Sequence, residues 1–308
     1  MERRNNKLAI AALMGALAVL AVGLGIWWGF GRDRRDDADG ARASASATSN
    51  ATAQAPDSAP AGLPLPKGSF QDVRNELEIR ARAGDAQAAY RLGQMIGSCF
   101  DYKSIPTGMF TEVLAKAIAH FGGNIRMEGR KLDDPDVLDT MLYAKDEADR
   151  ICGSVGTFPA SVKKGDARIW YEMAAERGHA KAMAEYGNIA FLEFPSDAQL
   201  LDHAAEVAAR RERARGYLRR AFEAGEPESL LMLAVAHGSQ PYLGRDMTDS
   251  LAYFKAYRQT PEGRKVPDGP ARLLESRLLA LVSPQQVRDS AQRSVEILQA
   301  FQQRKAPR

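Results

Sequence analysis

Few residues in this chain are of types that do chemistry. There are two cysteines, Cys99 and Cys152, and four histidines, His120, His179, His203 and His237, which stand far apart. A structural zinc site needs four ligands, and two isolated cysteines without a nearby histidine fall short of that. Neither cysteine stands with a histidine in a recognisable nucleophile–base relation. The stretch Cys152-Gly-Ser-Val-Gly156 superficially looks like a nucleophile elbow. That motif requires glycine at its first position and a strand before it, so Ser154 is set aside. Two readings of the thiols remain, a buried free pair or a disulfide. Arg210, Arg211, Arg213, Arg215, Arg219 and Arg220 form a local basic cluster. Such a cluster reads as a solvated helix face or as a docking patch for an acidic partner or an anionic polymer. No catalytic, cofactor-binding or metal-ligating residue is expected.

The elements that carry these residues start from an ordinary globular balance, 45% hydrophobic and 26% charged, with a formal net charge of +3 over 308 residues. The segment after residue 66 is nearly neutral, which gives no electrostatic case for nucleic acid. Leu8 to Phe30 is an uncharged run. As a helix it would be about 34 Å long, enough for a bilayer core. Trp27 and Trp28 stand where interfacial aromatics belong. The run is longer than a signal-peptide core and ends in bulky residues rather than a small-residue cleavage site, so an uncleaved anchor is the favoured reading. Arg3, Arg4 and Lys7 before it balance Arg32, Arg34 and Arg35 after it, so flanking charge does not orient it. Asp36 to Pro66 is dominated by Ala, Ser, Thr, Pro, Asp and Gly, too poor in large apolar side chains to fold. It reads as a tether with a reach of about 30 Å. The expected organisation is a tail and transmembrane anchor over 1–31, a disordered Ala/Ser/Pro-rich linker over 32–66, and an α-helical repeat domain over 67–308.

Within that domain, internal periodicity is the strongest signal. GDAQAAYRLG begins at Gly84, GHAKAMAEYG at Gly178 and GEPESLLMLA at Gly225. A degenerate copy, DDPDVLDTML, begins at Asp133, with Pro135 parallel to Pro227. Helix-like stretches precede two of the glycines. In Ala167–Gly178, Ile169, Trp170, Met173 and Ala174 share a helical face; in Ala214–Gly225, Tyr217, Leu218, Ala221 and Phe222 do. Glycine is the expected stop after such a helix, since it accepts a left-handed backbone at little cost. The unit is therefore helix, glycine turn, helix, and stacked pairs bury what one pair leaves exposed. The stretch 98–132, with Pro106 and Gly122-Gly123, reads as an insertion. After Pro284 a capping helix is expected, with Val287, Ala291, Val295, Leu298 and Phe301 on one face. The fold class is all-α, a helical-hairpin solenoid preceded by one transmembrane helix and a disordered linker.

This pattern resembles the Sel-like repeat family of tetratricopeptide-like α-solenoids. Trp170-Tyr171, Ala174-Ala175, Gly178, Ala182 and Gly187 carry the likeness. Weaker matches are Tyr217, Ala221, Gly225 and Ser229, and Gly84, Ala88, Leu92 and Gly93. The resemblance covers roughly residues 70–260 and implies a protein-binding scaffold. The longer repeat period here implies longer helices or loops. The paired cysteines within each repeat of the family's cysteine-rich branch are missing, so the penicillin-binding and β-lactamase activities suggested for that branch do not carry over.

In the repeat register, Cys99 and Cys152 lie just past equivalent helices of neighbouring units, and such helices stack side by side. That favours the disulfide and an oxidising compartment. The expected function is a non-catalytic interaction scaffold or adaptor of a bacterial-type cell envelope, single-pass in the inner membrane with its repeat domain in the periplasm. Its partner would be a protein or peptide, with the membrane engaged through Leu8 to Phe30. Tyr171, Tyr186, Arg211, Arg215 and Arg219 are the candidate partner-binding residues. Trp170 is expected in the core. A cell-envelope hydrolase or peptidoglycan-associated enzyme is the alternative.

Overall fold

The glycines at 84, 178 and 225 build the fold. Each ends a helix with a positive φ, of 108°, 87° and 72° respectively. In each case the amide after the glycine reaches back to a carbonyl five residues earlier: Asp85 to Arg80 (3.0 Å), His179 to Ala174 (3.0 Å) and Glu226 to Ala221 (3.1 Å). This is a Schellman closure, which satisfies carbonyls that the helix end would leave bare. The residue after each glycine then caps the next helix. Asp85 accepts from the Ala88 amide at 3.0 Å, His179 from Ala182 at 3.1 Å, and Glu226 from Glu228 at 3.4 Å. One short motif thus reverses the chain and starts the following helix three times.

The computed structural model describes residues 64–121, 124–127, 129–194, 196–238 and 243–305. The expected anchor at Leu8–Phe30 and the expected tether, as far as residue 63, lie outside them. Among the described residues no helix is long and apolar enough to cross a membrane. The linker boundary moves slightly: Leu65 packs against the core, and Arg80 donates to the Pro64 carbonyl at 2.9 Å. Pro64–Pro66 therefore belong to the folded part.

The helices are α1 (Phe70–Arg82), α2 (Ala86–Cys99), α3 (Thr107–Phe121), α4 (Pro135–Cys152), α5 (Ala167–Glu176), α6 (Ala180–Ile189), α7 (Asp197–Asp202), α8 (Ala204–Glu223), α9 (Pro227–Gly238), α10 (Met247–Arg258), α11 (Pro261–Lys265), α12 (Asp268–Leu279) and α13 (Pro284–Lys305). A two-residue antiparallel ribbon, β1 (Arg126–Met127) with β2 (Arg130–Lys131), departs from an all-helical chain. The hairpins α1–α2, α5–α6 and α8–α9 stack in order, α2 on α5 and α6 on α8; α10 then packs on α9, and α13 on α10. This is a stack of helical hairpins with a closing helix pair.

The copy expected at Asp133 is not a member of the stack. Helix α4 does begin there, capped by Asp134 with Pro135 at its first turn. But α2 packs directly on α5, and α4 stands aside against α2 and α12. The insertion therefore runs from the end of α2 to the start of α5. Proline at a helix start is a general device, so its match to Pro227 carried no repeat information. A second, smaller core forms around this insertion, with Phe110, Leu114, Val137, Met141 and, from α12, Leu273.

Two helix faces differ from the apolar reading. On α5 the buried residues are Ala167, Tyr171, Ala174 and Ala175, while Ile169 is 50% exposed and Trp170 and Met173 are partly buried. The cause is the neighbour: a Cβ on Gly93 would stand 2.6 Å from Tyr171 Cδ2, so α2 leaves a slot that the tyrosine fills. On α13 the buried residues are Ser290, Ser294, Ile297 and Phe301, whereas Ala291 is exposed and Val295 is 50% exposed. Ser290 and Ser294 donate to the carbonyls of Val287 and Ala291 at 2.8 Å each. With their hydroxyls satisfied locally, these small residues allow close approach to α10.

Candidate functional site: a roofed cleft on the hairpin stack

The second helices of the hairpins, α2, α6 and α9, share one wall of a cleft of about 270 Å³. Helix α2 contributes Gln94 and Ser98; α6 contributes Lys181, Glu185 and Asn188; α9 contributes Glu228, Leu231 and Met232. Helix α10 adds Phe254, Tyr257 and Arg258. The remaining walls come from α4, with Tyr143, Glu147 and Arg150, and from α12, with Ala271 and Leu274.

Helices α4 and α12 meet across the stack and roof the cleft. Their seam is specific. Arg272 of α12 pairs with Asp136 of α4 at 2.7 Å, and the Gly269 amide donates to Asp139 Oδ2 at 3.0 Å. Arg130 of β2 joins Asp136 at 3.0 Å and Ser276 Oγ at 3.2 Å. The Arg272 guanidinium holds Asp136 below the usual carboxylate range. At the other edge of the roof, Cys99 at the end of α2 and Cys152 at the end of α4 are joined by a disulfide, with Cα atoms 5.3 Å apart. The bond therefore ties the insertion to the first hairpin, rather than two adjacent repeats to each other.

Glu185 is the most perturbed acid in the cleft. Its Oε2 accepts from the Tyr171 hydroxyl at 2.9 Å and the Tyr90 hydroxyl at 3.1 Å, and Gln94 donates to Tyr90 at 3.3 Å. Lys181 Nζ stands 3.9 Å from Oε1. Burial pushes the carboxyl up to about 7, with the Lys181 charge and the Tyr171 hydrogen bond opposing that rise. Burial also pushes both tyrosines up, so they stay protonated and act as donors. A matching link closes the other side of the hairpin: Tyr186 of α6 donates to Glu172 of α5 at 2.5 Å, and Arg168 pairs with the same carboxylate at 2.8 Å. Adjacent residues on α5 and on α6 thus cross-tie the two helices in opposite senses.

Tyr171 and Tyr186, expected at a binding surface, are 1% and 0% exposed. Their rings are core, because each hydroxyl finds a carboxylate on the partner helix and so needs no water. Of the two, Tyr171 lines the cleft and Tyr186 does not. The arginine cluster divides. Arg210 is buried, donates to the Ala190 carbonyl at 2.6 Å, pairs with Glu193 and Glu206, and lies over the Phe194 ring. Arg213 pairs with Glu172 at 2.5 Å. Arg211 is partly buried, Arg215 pairs with Glu212, and Arg219 is exposed. Trp170 lines a shallow second groove of about 220 Å³ with Phe70, Ile169 and Met173, beneath Arg82.

Sequence reasoning missed Glu185, Glu228, Tyr143 and Tyr257. One signal was present: Glu185 is a lone carboxylate among the apolar and small residues of α6, where Arg91 and Met232 stand at the same distance from their glycines. Among the described residues no cluster of three or more His, Cys, Asp or Glu could hold a metal ion.

Comparison with known proteins adds little. No family model matches the chain, and no curated protein does. A search of solved structures returns a protective antigen present in uropathogenic Escherichia coli strains and displaying an SLR fold. The two are 16% identical; the match covers 77% of this chain and 50% of that one, with a TM-score of 0.27. This chain therefore spans half the length of that antigen. The hairpin stack rests on its own packing and turn geometry.

Proposed function

We propose that this chain is a non-catalytic interaction scaffold of the Sel-like repeat type that holds a segment of a partner protein in the roofed cleft. The observation that supports this reading most is the cleft's construction. Successive hairpins each contribute a second helix to one wall, and that wall mixes apolar side chains with charged ones, as recognition of a segment requires. The Cys99–Cys152 bond supports an oxidising compartment, since such bonds persist outside the reducing cytoplasm. With the uncharged run at Leu8–Phe30, the proposal places the domain on the extracytoplasmic side of a membrane. Arg219, with Arg211 and Arg215 beside it, is proposed as a secondary contact outside the cleft.

A photo-crosslinking side chain tests the reading. Leu231→p-benzoylphenylalanine, within the cleft, is expected to give a discrete adduct in cells, whereas the same group at Ile169 is not. Identical adducts from both positions would sink the cleft as the binding surface. One observation favours the alternative envelope hydrolase: a carboxyl near neutrality is poised for general acid or base work. Turnover of peptidoglycan by the purified chain, abolished by Glu185→Gln, would establish that reading instead.

A further inference from the structure

Three cations and three carboxylates line the cleft, but their pairing leaves Glu228 without an ion partner among the described residues. Of its three cations, Arg150 is paired with Glu147 at 2.5 Å. Arg258 is committed to backbone and rim: it donates to the carbonyls of Gly263 and of Val266 (2.8 Å) and pairs with Asp268 at 3.3 Å. That leaves Lys181, whose ammonium stands 3.9 Å from Glu185. Against this single cation stand Glu185 and Glu228, with Glu226 just before α9, two residues from Glu228. No described cation forms an ion pair with Glu228. Burial raises the proton affinity of Glu185 and of Glu226, and the nearby charge of Glu228 raises both further, against the opposing charge of Lys181.

The groups around Glu228 are suited to one kind of visitor. Tyr143 of the roof and Tyr257 of α10 line the same cleft, and both are close enough to Glu228 to feel its charge. Tyrosine faces attract a cation electrostatically, most strongly where water is excluded. Leu231, Phe254 and Leu274 supply an apolar wall beside them. The cleft's volume lies at the small end for ligand sites, so it admits a side chain and its neighbour rather than a folded element.

We infer that the cleft receives a lysine or arginine side chain of the partner segment, adjacent to an apolar residue, with Glu228 as its counter-charge. This rests on the scaffold reading and names what the scaffold recognises. The cationic head would lie between Glu228 and the tyrosine faces, its aliphatic stem would follow the apolar wall, and the neighbouring residue would meet Leu274. A segment bearing an aspartate, a glutamate or a C-terminal carboxylate would find Lys181 as its only available cation and two carboxylates beside it.

The test is a selection of phage-displayed random heptapeptides on the immobilised full chain, followed by fluorescence-anisotropy titration of the best synthetic peptide. The selected sequences are expected to share a lysine or arginine next to an apolar residue. Replacing that arginine by citrulline, or that lysine by norleucine, should weaken binding at least tenfold, and Glu228→Gln should do the same. Leu274→Trp, which fills the cleft, should abolish binding. The peptide-side changes keep the test decisive if a protein variant unfolds. Selected peptides that are blocked by Leu274→Trp but have no basic residue, or are indifferent to citrulline and Glu228→Gln, would overturn the cation and leave the cleft standing. Peptides indifferent to Leu274→Trp, or no selection at all, would overturn the cleft reading and this inference with it.

Discussion

At His179 one ring both caps a helix and packs a hairpin joint. Its Nδ1 accepts from the Ala182 amide, so the proton sits on Nε2, which donates to Gln87 Oε1 at 2.7 Å. The ring stacks on Tyr90 with centroids 4.4 Å apart. Burial holds its pKa down to about 4. The unfolded chain, with a histidine near 6.5, therefore takes up a proton that the folded state refuses. The resulting stability is present above pH 6.5 and is lost as pH falls toward 4, by about 3 kcal/mol at most. His179→Asn keeps a capping acceptor but cannot titrate. Its melting temperature is expected to fall less than that of the unsubstituted chain between pH 7.5 and pH 4.5. Equal losses would show that the ring's protonation is not what acid acts on.

Between elements, the contact that aligns the first two stacked hairpins is Gly93 of α2 against Tyr171 of α5. The tyrosine ring cannot swing aside, since it is fully buried and its hydroxyl is held by Glu185. A methyl at 93 would stand 2.6 Å from Cδ2 and 3.0 Å from Cε2. Overpacking of this kind costs about 1–3 kcal/mol, and alanine recovers about 1 kcal/mol as a better helix former. Gly93→Ala should therefore lower stability by up to about 2 kcal/mol in urea titration, and should shift the Tyr171–Glu185 link at the cleft wall. A stabilising result would mean that α2 and α5 can slide apart. This contact also marks where sequence reading stopped. Tyr217, Leu218 and Ala221 lie on the buried face of α8, as helical periodicity indicates. The buried face of α5 is turned by one position, because a slot made by glycines on another helix outweighs the apolar pattern of its own.

At the scale of the molecule, the insertion is held at both ends, by the disulfide to α2 and by the Asp136–Arg272 seam to α12. Cys99 and Cys152 are separated by 53 residues. Closing such a loop stabilises the fold by about 4 kcal/mol in the chain-entropy model. Reduction is expected to lower the denaturation midpoint by an amount equivalent to about 2–4 kcal/mol, and to speed amide exchange first in α4. Unchanged exchange in α4 would show that the seam with α12 alone holds the roof.

The hairpins were legible from sequence because each depends on two adjacent residues, a glycine that accepts positive φ and a polar residue that caps the next helix. Such rules act within one turn of chain, so Gly84, Gly178 and Gly225, and the starts of α2, α6 and α9, could be read without knowing any neighbour. The uncharged run and the Ala/Ser/Pro-rich stretch are compositional and were equally legible as expectations. Which helix packs on which was decided only in three dimensions. That α2 meets α5 across an insertion, that α4 leaves the stack to roof it with α12, and that Glu185 and Glu228 face one cleft all follow from contacts between segments distant in the chain. The free energy of those contacts is spread over many side chains, none of which carries a local sign of its partner.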